Sequence, residues 1–232
     1  MNLAVIPARG GSKRIPRKNI KLFCGKPIIA WSIEAAKKSG CFDDIIVSTD
    51  DKEIADIAKS YGANVPFLRP SSLADDYTGT IPVIKHAIEW FVEHCSTPSK
   101  VCCIYATAPF LREADLKEGY TKIRNCKADY AFAVTKYPFP IQRAIKLDIE
   151  GHTEMFQPEN FNVRSQDLIP AYHDAAQFYW GDTSAWLDEK SLFSALSLPI
   201  IIPHYRAQDI DTLDDWHRAE LMFSALQRSI IG

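Results

Sequence analysis

Short apolar runs alternate with helical periods through the first 135 residues, and each run stops where a polar or glycine-bearing loop begins. Leu3 to Ile6 reads as a buried strand that ends at Pro7. Lys26 to Ser39 places Ile29, Ile33 and Ala36 at helical spacing, and Gly40 comes next as a helix terminator. Ile45 to Ser48 is a second strand, after which Asp50 or Asp51 caps a helix to about Ser60, closed by Gly62. Val65 to Leu68 reads as a short strand, and Thr80 to His94 as a helix with Ile81, Ile84, Ile88 and Phe91 on one face. Val101 to Tyr105 and Tyr130 to Thr135 are further buried strands, separated by a charged helix from Glu113 to Arg124.

Strands alternating with helices predict an α/β fold, with a mainly parallel sheet covered on both faces. Ligands of such sheets bind beyond the carboxyl ends of the strands. The loop after Ile6, Thr49-Asp50 and Thr107-Ala-Pro109 all fall at that end. The pattern changes near Tyr137-Pro-Phe-Pro140, where the chain turns polar, aromatic and short in period until about Pro170. This reads as an insertion leaving the sheet, while 1–232 is otherwise one domain. Phe178-Tyr-Trp180 resumes the core and Ile200 to Ile202 is a late strand. Thr212 opens the last helix, with Asp215 in the place of a capping-box acid.

The loop after the first strand carries the chemistry. Gly10 and Gly11 stand among Arg9, Lys13, Arg14, Arg17 and Lys18. Glycines let successive backbone N–H groups turn into one concavity, and the cations neutralise an anion held there. The adjacent glycines fit neither a P-loop nor a dinucleotide fingerprint, and Pro16 blocks an early helix, so the loop wraps its ligand. With a net charge of −2 the basic loop is a local feature, which argues against a nucleic-acid partner. No apolar segment approaches the ~18 residues of a membrane span. The first strand begins almost at Met1, leaving no space for a signal peptide, and the expected location is the cytoplasm. The six cysteines include no C-x-x-C pair and read as reduced thiols.

A second element is Asp209-Ile210-Asp211. In an extended segment both carboxylates face one way while Ile210 packs inward. Hard oxygen ligands so arranged suit Mg²⁺ together with phosphate oxygens. The other acidic pairs are weaker: Asp50-Asp51 could serve only as a helix cap, and Asp75-Asp76 orders the turn before Thr78.

The pattern Ala8-Arg9-Gly10-Gly11-Ser12-Lys13-x-x-Pro16-x-Lys18-Asn19 resembles the signature of the CMP-sugar synthetases, the acylneuraminate cytidylyltransferase family. Arg69-Pro-x-x-Leu-x-Asp-Asp76 with Thr78-Gly-Thr80, and Gln208-Asp-Ile-Asp211, are similar to later motifs of the same family. Gly79 to Ile88, Phe139 to Arg143 and Tyr172 to Trp180 resemble the branch that activates pseudaminic acid. The resemblance implies a three-layer Rossmann-like nucleotidyltransferase fold with residues 138–172 as a dimerisation arm, and hence a homodimer. It implies transfer of CMP from CTP to a nonulosonic acid with Mg²⁺ on Asp209 and Asp211. Arg9, Lys13 and Asp211 would be catalytic. The nucleotide would lie on Ala8, Arg9, Gly10, Gly11, Ser12, Lys13, Lys18, Asn19, Thr78 and Thr80. The sugar acid would meet Tyr105, Gln142, Arg143, His173 and Gln177, with Arg143 awaiting its carboxylate. Legionaminic or N-acetylneuraminic acid, a nucleotide-sugar-dependent glycosyltransferase and a non-catalytic nucleotide-binding module stay open as alternatives.

Overall fold

The computed structural model describes residues 1–231, with side chains as far as Arg228. β1 (Asn2–Pro7) enters the basic loop, which holds a 3-10 turn at Lys18–Ile20 and a tight hairpin of β2 (Leu22–Phe23) and β3 (Lys26–Pro27). α1 (Ile28–Ser39), β4 (Asp44–Ser48) and α2 (Lys52–Ser60) come next. Then come α3 (Thr80–His94), β5 (Lys100–Ile104), α4 (Glu113–Asn125) and β6 (Tyr130–Lys136). An arm carries the small hairpin β7 (Ile145–Leu147) and β8 (Thr153–Met155). β9 (Tyr172–Asp182), α5 (Thr183–Leu187), β10 (Ser197–Ile201) and α6 (Leu213–Ile231) complete the chain.

The main sheet runs β10-β6-β9-β5-β1-β4. Only β9 is antiparallel to its neighbours; β1 pairs parallel with β4 and β5, and β10 parallel with β6. Period-2 alternation sorts the core. Ala4, Ile6, Cys102 and Ile104 face α1, α2 and α4, whereas Leu3, Val5, Val101 and Cys103 face α3 and α5. On the first side Gly119 lets α4 approach the sheet, since a Cβ there would come within 2.7 Å of the Trp180 ring. A third cluster lies away from the sheet: Ile15, Phe23, Ile28, Phe110, Ile210, Trp216 and Phe223 are buried together beneath α6. Phe23 packs edge-on against Trp216 at 5.5 Å and against Phe223 at 5.4 Å.

The expected strand Val65 to Leu68 is not formed. Asn64 and Leu68 each make one bridge, to Ile46 and Thr49, and Pro66 between them has no N–H for a ladder. Helix α5 was not legible in the sequence, because its Ala185 and Trp186 continue the apolar composition of β9. The last helix starts as expected: the Asp215 carboxylate accepts from the Thr212 N–H at 2.9 Å, and the Asp215 N–H donates back to the Thr212 hydroxyl at 3.2 Å.

Candidate active site

The basic loop is anchored before it binds anything. The Ala8 N–H donates to the Ser48 carbonyl at 2.9 Å, and the Gly10 N–H to Asp50 Oδ1 at 2.9 Å. Gly10 needs its missing side chain, because a Cβ would lie 2.8 Å from Asp51 Oδ2. Buried Asn19 donates from its side chain to the Arg9 carbonyl at 2.9 Å, closing the loop across its base. Arg17 adopts a left-handed φ of 56° and is committed to the scaffold. Its guanidinium meets Asp51 at 2.5 and 3.0 Å and Glu53 at 2.5 Å. Asp51 also accepts from the Ile54 N–H as the cap of α2, and Arg17 with these N–H groups holds its carboxyl down at about 2.

The remaining cations turn toward a cleft of about 500 Å³ at the carboxyl ends of β1 and β5. Arg9, Lys13, Arg14 and Lys18 line one side, and Thr78, Thr80 and Tyr105 line the other. Asp76 stands among the first two cations, 2.8 Å from Arg9 and 2.5 Å from Lys13. These partners keep the Asp76 carboxyl below its ordinary value, the Lys13 hydrogen bond leading. The neighbouring Asp75 orders the turn, accepting from the Thr78 N–H and hydroxyl, each at 2.7 Å.

Sequence reasoning missed Arg69 as a site residue. Its side chain is 4% exposed, lines the cleft, and leaves Nε and Nη2 without a hydrogen-bond partner. The nearest carboxylate oxygen, on Asp50, is 4.0 Å away. Burial pulls its pKa down, so it is a dehydrated cation facing the cleft, where an anionic or carbonyl oxygen would satisfy it. The signal was its place at the head of the motif Arg69-Pro-x-x-Leu-x-Asp-Asp76, directly after the apolar run Val65 to Leu68.

The acidic pair joins this wall through its counter-ions. Ile210 is buried in the third cluster. Asp211 meets Arg14 at 2.9 Å and Lys18 at 3.3 Å, while Lys18 also donates to the Ile210 carbonyl at 2.7 Å. The chain packed about the Asp209 carboxyl, and secondarily the Asp211 charge, raise its pKa. Two like charges that compete in this way fit a hard divalent cation.

The residues expected at the sugar acid are dispersed. Tyr105 lines the cleft. Gln177 donates to the Arg206 carbonyl at 2.7 Å and leaves its Oε1 unpartnered. The His173 ring packs 4.7 Å from that of Tyr137. Gln142 and Arg143 sit on the arm, Gln142 donating to the Ile169 carbonyl at 2.9 Å, and Arg143 donating to the Val163 carbonyl and, at 3.4 Å, to the Ser165 hydroxyl. Neither lines the cleft of its own chain.

The class this defines is an α/β protein with a cationic cleft beside an acidic pair at its strand ends. The cytidylyltransferase family matches residues 3–203, and the chain belongs to that family. It is 44% identical over 228 residues to the pseudaminic acid cytidylyltransferase of Campylobacter jejuni subsp. jejuni serotype O:2, covering 98% of each chain. It is 32% identical to the CMP-N,N'-diacetyllegionaminic acid synthase of Legionella pneumophila, covering 99% of each. A solved CMP:2-keto-3-deoxy-manno-octonic acid synthetase, complexed with CTP, shares the fold with a TM-score of 0.68 at 14% identity, covering 97% of this chain and 98% of that one.

Proposed function

We propose that the protein transfers CMP from CTP to pseudaminic acid and releases pyrophosphate. The observation that carries this reading is the convergence of Arg9, Lys13 and buried Arg69 on one cleft, with Asp211 of the acidic pair tied to its edge by Arg14 and Lys18. The relative from Campylobacter supports the choice of sugar acid.

In this reading the triphosphate replaces Asp76 on Arg9 and Lys13. A sugar hydroxyl oxygen attacks the α-phosphorus, the bond to the bridging oxygen of pyrophosphate breaks, and the hydroxyl proton passes to solvent. Arg9 and Lys13 neutralise the charge that accumulates on the leaving group. Ser12, the Gly11 backbone and Lys18 complete the phosphate cradle, while the Gly10 N–H stays on Asp50; Asn19 and Arg69 face the nucleoside, and Thr78 and Thr80 orient it. Asp209 and Asp211 would hold Mg²⁺, which when bound supplies charge neutralisation and acidifies a ligated hydroxyl.

The arm completes the site from a second copy. Ile145, Leu147, Ile149, Phe156 and Phe161 are each more than half exposed on one chain, as an arm that pairs with another would be. Arg143 then meets the sugar carboxylate in the site of the homodimer. Among the described residues no helix is long and apolar enough to cross a membrane, and six free cysteines suit the reducing cytoplasm.

The test is pyrophosphate release from CTP with Mg²⁺, in parallel with pseudaminic, legionaminic and N-acetylneuraminic acids. Release with pseudaminic acid in large excess over the others is the expected result. Preference for another acid discards the acceptor, and silence with all three discards the reaction. Light scattering checks the dimer in the same samples.

A further inference from the structure

The chain leading to the acidic pair carries a buried ion pair that the reaction as described does not use. Asp115 lies in the first turn of α4, and Arg206 closes a 3-10 turn, His204–Arg206, between β10 and Asp209. The Arg206 and Asp115 side chains are 7% and 11% exposed. The contact is a two-pronged fork: Arg206 Nη2 donates to Asp115 Oδ1 at 3.1 Å and Nη1 donates to Oδ2. Oδ2 also accepts from the Arg112 N–H at 3.3 Å, so the carboxylate is fixed at the start of its own helix. From the other side, the Arg206 carbonyl accepts from the Gln177 side chain at 2.7 Å. Gln177 is itself seated in the sheet, where its carbonyl accepts from the Tyr105 N–H at 2.9 Å. Residue 206 is thus gripped by α4 through its side chain and by β9 through its backbone.

Stability does not explain the pair. Two charges taken out of water recover about what an apolar pair of the same volume would give. Here the balance is worse still, because Arg206 Nε is buried without a partner. A fork does fix one geometry, and the stretch that follows it needs one. Residues 207–211 form neither helix nor strand. Asp211 is held from downstream: its N–H donates to Asp215 Oδ2 at 3.2 Å, and its carboxylate meets Arg14 and Lys18. Among the described residues the Asp209 carboxylate has neither hydrogen bond nor ion pair, and the Asp211 charge opposes it. Its place is therefore set by the backbone, between the Arg206 fork and buried Ile210.

We propose that Asp115 and Arg206 are positioning residues for a divalent cation: their fork fixes the chain three residues ahead of Asp209 and so holds that carboxylate near Asp211 before any metal arrives. This inference rests on the proposed role of Asp209 and Asp211 in holding Mg²⁺. Like charges brought together in advance leave the cation little to reorganise, whereas a free Asp209 would swing toward water and each metal ion would have to order it.

The test reads metal binding itself, with Mn²⁺ as the probe and the electron paramagnetic resonance signal of the free ion as the measure. Removing one partner of a buried pair can unfold a protein, so the first variant replaces both: Asp115→Leu with Arg206→Met keeps the volume and removes both charges. It should melt within about 5 °C of the unaltered protein, yet bind Mn²⁺ about tenfold more weakly. Arg206→Lys keeps a charge but not the fork; it should weaken Mn²⁺ by a similar factor, and it decides the matter alone if the double variant does not fold. In pyrophosphate release the double variant should need about tenfold more Mg²⁺ for half its maximal rate. Unchanged Mn²⁺ affinity in either folded variant would overturn the positioning role and leave the metal site standing. No Mn²⁺ binding by the unaltered protein, or unchanged affinity in Asp211→Asn, would instead remove the metal site itself, and the proposal with it.

Discussion

The cationic cleft and the segment proposed to meet the sugar acid are built in different ways. On the cationic side the loop cations are tethered within their own chain: Arg17 to Asp51, Lys18 to the Ile210 carbonyl, Arg9 and Lys13 to Asp76. On the sugar side Gln142 and Arg143 ride on an arm whose apolar surface is largely exposed and whose bonds stay within the arm. In the proposed reading the cationic side is an anion receptor complete in one chain, whereas the sugar side is a set of parts. A receptor shared by all substrates can be local and rigid; a pocket that distinguishes one acid from another draws on distant segments and, in our reading, on a second copy.

Four measurements break or sharpen this contrast. Asp211→Asn should lower kcat on the order of 10²-fold or more while the fold and CTP binding persist. Near-normal Mg²⁺-dependent turnover would remove the acidic pair from the chemistry. Arg143→Ala should raise the KM for the sugar acid about tenfold and leave that for CTP unchanged, and proportional rises in both would move Arg143 to the common wall. Asp76→Asn should tighten CTP binding by roughly threefold, because the triphosphate no longer displaces a carboxylate from Arg9 and Lys13; calorimetric titration that finds weaker binding would make Asp76 part of the receptor. The smallest effect concerns stability. Asp51 has a folded pKa depressed from 3.8 to about 2, so its ionised form stabilises the fold fully above 3.8, and that contribution disappears as pH falls toward 2. Asp51→Asn should therefore cost about 1 kcal/mol at neutral pH, shrinking on acidification. A gap independent of pH would leave only the cap.

Most of the fold could be read from the chain, because β1, β4, β5 and β6 are apolar runs bounded by turn residues, and α3 keeps its period over its full length. What escaped depends on partners far away in sequence. Pro66 alone could have warned against a strand at 65–68. Nothing local distinguishes Arg17, which is structural, from Arg9, which faces the cleft; the difference is Asp51 against an open wall. Arg69 stood in the sequence only as the head of a motif, because its place in the cleft follows from a guanidinium whose Nε and Nη2 find no partner.

The third cluster ties these elements together. Ile15 in the cation loop and Ile210 between the two aspartates are inserted into one aromatic nest with Phe23, Trp216 and Phe223. Residues almost two hundred positions apart thus share a single footing, and it is held by the last helix rather than by the sheet. Heat or a truncation that loosens α6 would leave the strands paired and dismantle both charged elements at once. On this footing the protein would fail as a catalyst before it fails as a fold.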